Sequence, residues 1–211
     1  MRTFKIVGLT GSTGSGKSTV ANMLIKKGCA VVDADLLSRE ITKKNSPCLK
    51  VLSAEFGSDI LNTDGTLNRQ ILAEKAFASQ DKVELLNSLT HPFIYMLAIK
   101  RIKEYADKGY KIIIFDAPVL FESSGDVLCD ITVSVISSTE NRIKRIMSRD
   151  NITKPQAMQR INVQKQDEYY ISKSDIIIEN NGDIKQTEER VNEIFALINN
   201  KLKTEVSDGF N

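Results

Sequence analysis

Eight residues near the start of the chain, Gly11–Ser18, have the residue types and spacing of a phosphate-binding loop. They match the pattern G-x-x-x-x-G-K-[ST], with an apolar run before them and a helical pattern after them, which is the context that the motif requires. Glycines in such a loop let successive backbone N–H groups face phosphate oxygens, and the positive end of the following helix adds to the attraction. The motif therefore predicts a site for nucleotide phosphates, although it does not by itself select a reaction.

The polar positions of the loop carry specific expectations. The ammonium group of Lys17 is expected to reach the β- and γ-phosphates of ATP, and the Ser18 hydroxyl is expected to bind Mg²⁺. ATP and Mg²⁺ are therefore the predicted ligands. The residues predicted to contact the nucleotide are Gly11, Ser12, Thr13, Gly14, Ser15, Gly16, Lys17, Ser18 and Thr19.

Two acidic residues follow other apolar, strand-like runs. Asp116 follows residues 111–115, where a carboxylate beside the loop would help to hold Mg²⁺ through water. Asp33 follows residues 29–32, and its carboxylate could accept the proton of a substrate hydroxyl that attacks the γ-phosphate. We predict Asp116 as a metal ligand and Asp33 as the catalytic base. The alternative is that Asp116 merely caps the end of its strand and that Asp33 or Asp35 caps the next helix.

A cluster of arginines occupies residues 139–171, after the fourth strand-like run. When a segment closes over a bound phosphoryl group, arginines on that segment can stabilise the negative charge that develops on the phosphoryl oxygens during transfer. Closure also excludes water. The segment is therefore predicted to be a lid, with Arg142 joining Lys17 and Asp33 as a catalytic residue. The alternative, a solvated charged helix face, is expected for at least one of Arg142, Arg145, Arg149 and Arg160.

Five short apolar runs alternate with helical patterns and would position these side chains. Strands that are apolar at nearly every position are typical of a parallel sheet covered by helices on both faces. We therefore predict the α/β class, with three layers and a five-stranded parallel sheet. The runs are residues 4–9, 29–32, 111–115, 130–137 and 174–178.

A long stretch without a strand-like run separates the second run from the third. Ser46 and Asn68 are predicted helix N-caps in this stretch. Thr90 is predicted to cap a long helix that has Pro92 in its first turn and Gly109 after its end. Because the stretch is too long for one crossover, we predict a helical subdomain inserted over the carboxyl edge of the sheet, where open α/β sheets bind ligands.

These boundaries predict one domain over residues 1–211. Its core would comprise residues 1–35, 110–138 and 172–205, with the helical insert at about 36–109 and the lid at about 139–171.

The composition is that of an ordinary globular protein and narrows the range of partners. Charged residues make up 27% of the chain and the net charge is +2, too little for the basic face of a nucleic-acid-binding protein. No apolar run approaches the length of a membrane-spanning helix. Cys29, Cys48 and Cys129 form no CxxC pair, so reduced thiols in the cytoplasm are expected rather than disulfides or a zinc site. A small-molecule substrate and a monomer or weak homo-oligomer are expected, with neither nucleic acid nor membrane as a partner.

Other proteins with this loop need further motifs. A GTPase needs [NT]-K-x-D to recognise guanine, and the nearest match, residues 153–156, lacks the aspartate. No repeat or second nucleotide-sensing motif indicates a motor or a transporter ATPase. A short chain with a helical insert and an arginine lid is typical of nucleotide and nucleoside kinases, so a P-loop kinase fold is predicted. A kinase for a nucleoside or nucleoside monophosphate, and a nucleotide-binding regulator that hydrolyses slowly, remain open.

Fragments along nearly the whole chain resemble one family, dephospho-CoA kinase. Each fragment is weak alone, but their order and spacing are specific. The resemblance implies transfer of the γ-phosphate of ATP to the ribose 3′-hydroxyl of dephospho-CoA, with Asp33 as the base and the helical insert holding the acceptor. The fragments are residues 9–21, 31–35, 56–57, 64–69, 91–92, 115–122, 160–164 and 174–182.

Overall fold

A five-stranded parallel sheet forms the centre of the computed structural model, which describes residues 2–208 of the protein. The strands are β1 (Lys5–Thr10), β2 (Ala30–Asp33), β3 (Ile112–Asp116), β4 (Ile131–Ile136) and β5 (Ile176–Glu179). Their order across the sheet is β2-β3-β1-β4-β5. The predicted α/β class and five-stranded sheet are confirmed.

The central strands are buried on both faces. Every residue of β1, β3 and β4 is buried, as expected for parallel strands covered by helices on both sides. β1 pairs with β3 and β4 in parallel, and Leu9 of β1 lies opposite Asp116 of β3. This register places Asp116 beside the last residues before the phosphate-binding loop.

Helices occupy most of the remaining chain. The α-helices are α1 (Lys17–Lys26), α2 (Ala34–Ile41), α3 (Pro47–Phe56), α4 (Arg69–Ala76), α5 (Gln80–Asp107), α6 (Thr139–Asp150), α7 (Lys154–Asn162), α8 (Asp167–Lys173) and α9 (Ile184–Asp208). Short 3₁₀ turns lie at Ser58–Ile60 and Gly125–Leu128. None of the helices within residues 2–208 combines the length and the apolar character needed to cross a membrane.

Two predicted N-caps are confirmed. Ser46 Oγ accepts a hydrogen bond from Leu49 N at 3.2 Å at the start of α3. Asn68 Oδ1 accepts one from Ile71 N at 3.1 Å at the start of α4. Each cap satisfies an N–H group that the first turn of a helix leaves without a partner in the helix.

The long helix of the insert differs from the prediction. α5 begins at Gln80, so Thr90 is not its N-cap and Pro92 lies inside the helix rather than in its first turn. Thr90 Oγ1 instead donates to Leu86 O, one turn earlier, at 2.8 Å. Gly109 does follow the end of the helix, as predicted, with a φ of 90°.

Packing explains why α5 continues through a proline. Proline lacks the N–H that would bond one turn back, and this favours a break in the helix. Apolar side chains on both sides of Pro92 pack against a buried cluster, and burial of an apolar face supplies most of the stability of helices in proteins. The packed side chains are Leu85, Leu86, Leu89, Phe93, Ile94 and Leu97.

The described chain divides into two compact units, each with its own core. The first comprises the residues up to Val32 and those from Glu104 onward, and the second comprises Asp33–Lys103. The first core is built from β1, β3, β4 and β5 together with α1 and α9. The buried residues of the second core are Ile41, Cys48, Leu52, Phe56, Ile60, Leu72 and Ala76.

The predicted subdivision into core, insert and lid stays a prediction. Met1 and residues 209–211, which the predicted single domain includes, lie outside the described residues.

Candidate active site

The phosphate-binding loop joins the end of β1 to the start of α1, and two of its glycines are required by the local geometry. Gly14 and Gly16 have φ angles of 78° and 98°, which residues with a Cβ rarely adopt. A Cβ on Gly16 would lie 1.9 Å from Asn180 Nδ2, and one on Gly14 would lie 2.8 Å from Arg142 O. The backbone of Arg142 and the side chain of Asn180 therefore lie in close contact with the loop at these two glycines.

The backbone N–H groups of the loop from Thr13 to Ser18 fall into two sets. Thr13 N donates to Gln164 Oε1 at 2.8 Å, and Ser15 N donates to Ser12 O at 3.1 Å. The other set makes no hydrogen bond within residues 2–208 and consists of the N–H groups of Gly14, Gly16, Lys17 and Ser18. Unpaired N–H groups at the start of a helix attract anions, so this second set can bind phosphate oxygens.

Two loop hydroxyls also lack partners. Ser12 Oγ and Ser15 Oγ are buried and make no hydrogen bond to any residue of the described chain. Buried polar groups normally have a partner, so unpaired hydroxyls in this loop fit a site that takes a polar ligand.

Lys17 and Asp116, which the sequence singles out in separate motifs, are in direct contact. Lys17 Nζ forms an ion pair with Asp116 Oδ1, and only 16% and 11% of the two side chains are exposed. Ser18 is the second residue of α1, and its side chain is exposed. Its hydroxyl and the Asp116 carboxylate are hard oxygen donors of the kind that Mg²⁺ prefers, so this donor set fits the predicted metal.

Arg142 and Arg145, both on α6, hold the outer side of the loop. Arg142 Nε donates to Thr13 O at 3.0 Å. Arg145 NH1 donates to Ser15 O at 3.0 Å and to Gly14 O at 3.3 Å. Three successive carbonyl groups of the loop are thus satisfied from outside.

Arg142 is a buried charge with a partly buried counter-charge. Its residue exposure is 2%, and its NH1 atom lies 4.0 Å from Asp167 Oδ1. Burial lowers the pKa of the Arg142 guanidinium and raises the pKa of the Asp167 carboxyl, because each loses water that stabilised its charged form, while their mutual attraction opposes both shifts. Arg142 contacts the loop at Thr13 O, and its predicted catalytic role stays a prediction.

The other two arginines of the predicted lid lie elsewhere in the first unit. Arg149 Nε donates to Asp150 Oδ1 at 2.7 Å, and Arg160 pairs with the second oxygen of the same carboxylate. The side chains of Arg149 and Arg160 are 61% and 51% exposed. This confirms the expectation that at least one arginine of the segment belongs to a solvated charged face.

Two further residues contact the loop, and no role follows for either from the sequence alone. Gln164, after the end of α7, accepts hydrogen bonds at Oε1 from Thr13 N and from Arg142 NH2, the latter at 3.3 Å. Asn180 donates from Nδ2 to Ser15 O at 2.8 Å.

The sequence carries a positional signal for only one of these two residues. Asn180 directly follows β5, and polar residues at the carboxyl ends of parallel strands lie at the edge where ligands bind. Gln164 does not follow a strand, and the sequence marks it only as the last residue of fragment 160–164, which resembles the family.

Asp33 ends β2 and begins the second unit. Its Oδ1 accepts a hydrogen bond from Leu36 N at 3.0 Å, which makes it the N-cap of α2. The capping alternative is thus present in the structure. Capping engages one carboxylate oxygen, and the predicted role of Asp33 as a base stays a prediction.

Known proteins match this chain over most of its length. A family model described as dephospho-CoA kinase matches residues 5–186. A dephospho-CoA kinase of Listeria innocua is 39% identical over 198 residues, covering 93% of this chain and 99% of that protein. One of Corynebacterium glutamicum is 38% identical over 192 residues, covering 91% and 96% of the two chains.

A solved structure has a similar fold over most of the chain. The crystal structure of a protein from Thermus thermophilus has a TM-score of 0.76 and 27% identity, and the match covers 92% of this chain and 97% of that one. This chain belongs to the dephospho-CoA kinase family.

Proposed function

We propose that the protein transfers the γ-phosphate of ATP to the ribose 3′-hydroxyl of dephospho-CoA and releases CoA and ADP. The proposal is carried by the loop of this family member: four of its N–H groups make no hydrogen bond within residues 2–208, and Lys17 lies beside Asp116. Such a loop suits the polyphosphate of ATP, and family membership supplies the acceptor.

The phosphate-binding loop is proposed to hold ATP by its backbone and by Lys17. The unpaired N–H groups from Gly14 to Ser18 would donate to phosphate oxygens, and the Lys17 ammonium would stabilise charge on the transferring group. Because these donors are already held in place by the fold, little reorganisation would accompany transfer.

Ser18 and Asp116 are the residues proposed to hold Mg²⁺, Asp116 through water. The support for this is their donor chemistry and the position of Asp116 next to the strand that leads into the loop. Bound with ATP, the ion would neutralise negative charge on the phosphates.

Asp33 is proposed as the general base, and the second unit, which Asp33 begins, as the acceptor-binding part of the protein. In the transfer, the acceptor oxygen forms a bond to the γ-phosphorus, the bond from that phosphorus to the oxygen bridging to the β-phosphate breaks, and ADP leaves. The acceptor hydroxyl proton would pass to the Asp33 carboxylate. The resemblance to the family and the position of Asp33 at the end of β2 support this assignment.

Arg142 is proposed to assist the transfer in two ways. Its contact with Thr13 O supports the loop, and its positive charge would stabilise negative charge on the γ-phosphate.

We also propose that the reaction takes place in the cytoplasm and that the protein is a monomer or a weak homo-oligomer. Light scattering after gel filtration at several protein concentrations would measure the assembly state.

An assay of ADP release tests the proposed function. Purified protein with ATP and Mg²⁺ is offered dephospho-CoA, adenosine, other nucleosides and nucleoside monophosphates in turn. Turnover is expected with dephospho-CoA, with a product that mass spectrometry identifies as CoA and that ³¹P NMR shows to be phosphorylated at the 3′ position. A Lys17→Met preparation in the same assay controls for a contaminating kinase. Turnover with a nucleoside or nucleoside monophosphate and none with dephospho-CoA would overturn the proposal.

A further inference from the structure

Asn180 lies on the outer side of the phosphate-binding loop. It is 6% exposed and follows the last residue of β5. Its Nδ2 donates to Ser15 O at 2.8 Å, and Arg145 NH1 donates to the same carbonyl oxygen at 3.0 Å. The carbonyl group of Ser15 is therefore held by two side-chain donors.

The orientation of the Asn180 amide follows from its neighbours. Ser15 O can only accept a hydrogen bond, so the atom that faces it must be the amide nitrogen. The amide oxygen then faces Thr187 Oγ1, which donates to it at 2.8 Å. Thr187 is 2% exposed, so this second contact is shielded from water.

The backbone of Asn180 is held as well. Its N–H donates to Ile136 O at 2.9 Å, and its carbonyl oxygen accepts from Ser137 Oγ at 2.8 Å and from Arg145 NH2 at 2.9 Å. Main chain and side chain thus give Asn180 one fixed position against the loop.

Holding the Ser15 carbonyl also sets the direction of the next N–H group. The carbonyl of Ser15 and the N–H of Gly16 belong to one peptide unit, and in a trans peptide these two bonds point in opposite directions. A donor that fixes the carbonyl on the outside of the loop therefore turns the Gly16 N–H toward the inside. That N–H group is one of the four that make no hydrogen bond in the described part of the chain.

We infer that Asn180 is a positioning residue for phosphoryl transfer, which orients the Gly16 N–H toward the phosphates of ATP by donating to Ser15 O. Asn180 would thus affect the phosphates of ATP only through the position of the loop. The inference rests on the proposed function only in that the loop binds ATP, and it does not depend on which acceptor receives the phosphate.

Replacing Asn180 by aspartate tests this inference with little change in shape. The Asn180→Asp substitution removes the donor to Ser15 O and places a carboxylate oxygen against a carbonyl oxygen. We expect the Kd for ADP, measured by isothermal titration calorimetry, to rise by about ten- to a hundredfold, as for loss of a buried hydrogen bond.

The neighbouring asparagine provides a matched control for the added charge. Asn181 Oδ1 only accepts, from Ser138 N at 2.7 Å and from Ser137 Oγ at 3.1 Å, and an aspartate can keep both contacts. Asn181→Asp adds the same charge one residue away, and its Kd for ADP is expected to stay within about twofold of the unsubstituted protein. Equal losses in both variants would mean that charge alone weakens binding, and the inference would be wrong.

Inorganic tripolyphosphate separates an effect on the phosphates from one on the nucleoside. Its Kd, measured by calorimetric displacement of ADP, is expected to rise in Asn180→Asp by about the same factor as the Kd for ADP, because both ligands use the loop. An unchanged Kd for tripolyphosphate, with weaker ADP binding, would mean that Asn180 acts on the nucleoside and would overturn the inference. Neither measurement needs an acceptor, so both are independent of the test of the proposed function.

A second variant keeps the inference testable if Asn180→Asp does not fold. Thr187→Val has nearly the same shape and removes the hydroxyl that donates to Asn180 Oδ1 at 2.8 Å and, more weakly, to Asp183 O at 3.1 Å. We expect it to weaken ADP and tripolyphosphate binding by about three- to tenfold, as for loss of one neutral hydrogen bond. Unchanged binding of both ligands by folded Thr187→Val would contradict the inference.

Discussion

The ammonium group of Lys17 contacts Oδ1 of Asp116, so the cation of the phosphate-binding loop is paired with the carboxylate at the end of β3. Both side chains are largely buried, and a buried charge that loses its partner is costly. The fold thus holds Lys17, which is proposed to bind phosphates, next to Asp116, which is proposed to help to hold Mg²⁺.

Removing the Lys17 charge should impair nucleotide binding and turnover together. For Lys17→Met we expect the Kd for ADP to rise at least about tenfold and kcat to fall by about 10²–10³, the usual effect of losing a donor to developing charge. Calorimetry and the ADP-release assay measure the two effects. Lys26→Met, at the exposed end of α1, is the control and should behave like the unsubstituted protein. Normal kinetics in Lys17→Met would contradict the assignment of the loop.

Asp33→Asn separates catalysis from capping. Asparagine caps helices as well as aspartate does, so its side-chain oxygen can still accept from Leu36 N and α2 should remain intact. If Asp33 is the base, kcat should fall by about 10² or more while the Kd for ADP is unchanged.

Asp35→Asn is the matched control for Asp33→Asn, because Asp35 lies exposed in the first turn of the same helix. It should retain normal kcat. A near-normal kcat in Asp33→Asn, with thermal unfolding unchanged, would reduce Asp33 to a capping residue.

Gly16→Ala should disrupt the loop more than its backbone strain alone explains. The φ of 98° disfavours alanine, and the added Cβ would also meet Asn180 Nδ2 at 1.9 Å. We expect ADP affinity to fall more than about tenfold, together with a loss of stability of at least about 1–2 kcal/mol from the left-handed backbone.

Gly28→Ala is the control that introduces a similar backbone strain without a steric clash. Gly28 has a similar φ of 88°, but apart from its two neighbours in the chain no residue of the described range 2–208 has an atom within 4 Å of the position that a Cβ would take. It should lose about 1–2 kcal/mol of stability in chemical denaturation and bind ADP normally. If Gly16→Ala bound ADP as well as Gly28→Ala does, close contact of Asn180 with the loop would be ruled out.

Arg142 and Arg149, on the same helix, should respond very differently to substitution. Arg142→Met removes a donor to Thr13 O and the positive charge that lies 4.0 Å from Asp167 Oδ1, so kcat/KM for ATP should fall by about 10-fold or more. Arg149→Met removes an exposed pair with Asp150 and should change kcat/KM by less than about twofold. Similar values for the two variants would show that the buried position of Arg142 has no part in the reaction.

Short-range patterns were enough to predict much of the fold and part of the site. The loop from Gly11 to Ser18 is recognisable because its glycines and its lysine are adjacent in sequence. Ser46 and Asn68 are recognisable as caps because a cap and its N–H partner lie within one turn. The prediction that Thr90 caps the long helix was wrong for a related reason. The rule that places proline in the first turn of a helix considers only neighbouring residues, whereas this helix depends on distant contacts. Packing of the flanking apolar residues against the second core decided that α5 continues.

The sequence by itself predicted a phosphate-binding loop at Gly11–Ser18 and determined that acidic residues end β2 and β3. Only the tertiary structure decided what surrounds the loop. Asn180 and Ser15 are 165 positions apart, and Gln164 and Thr13 are 151 apart, yet both pairs are hydrogen-bonded. Contacts of this range arise because β1, β4 and β5 are adjacent in one parallel sheet, so that the segments following their carboxyl ends meet at the same edge. No local rule of spacing or propensity contains that information, because it depends on the order of the strands.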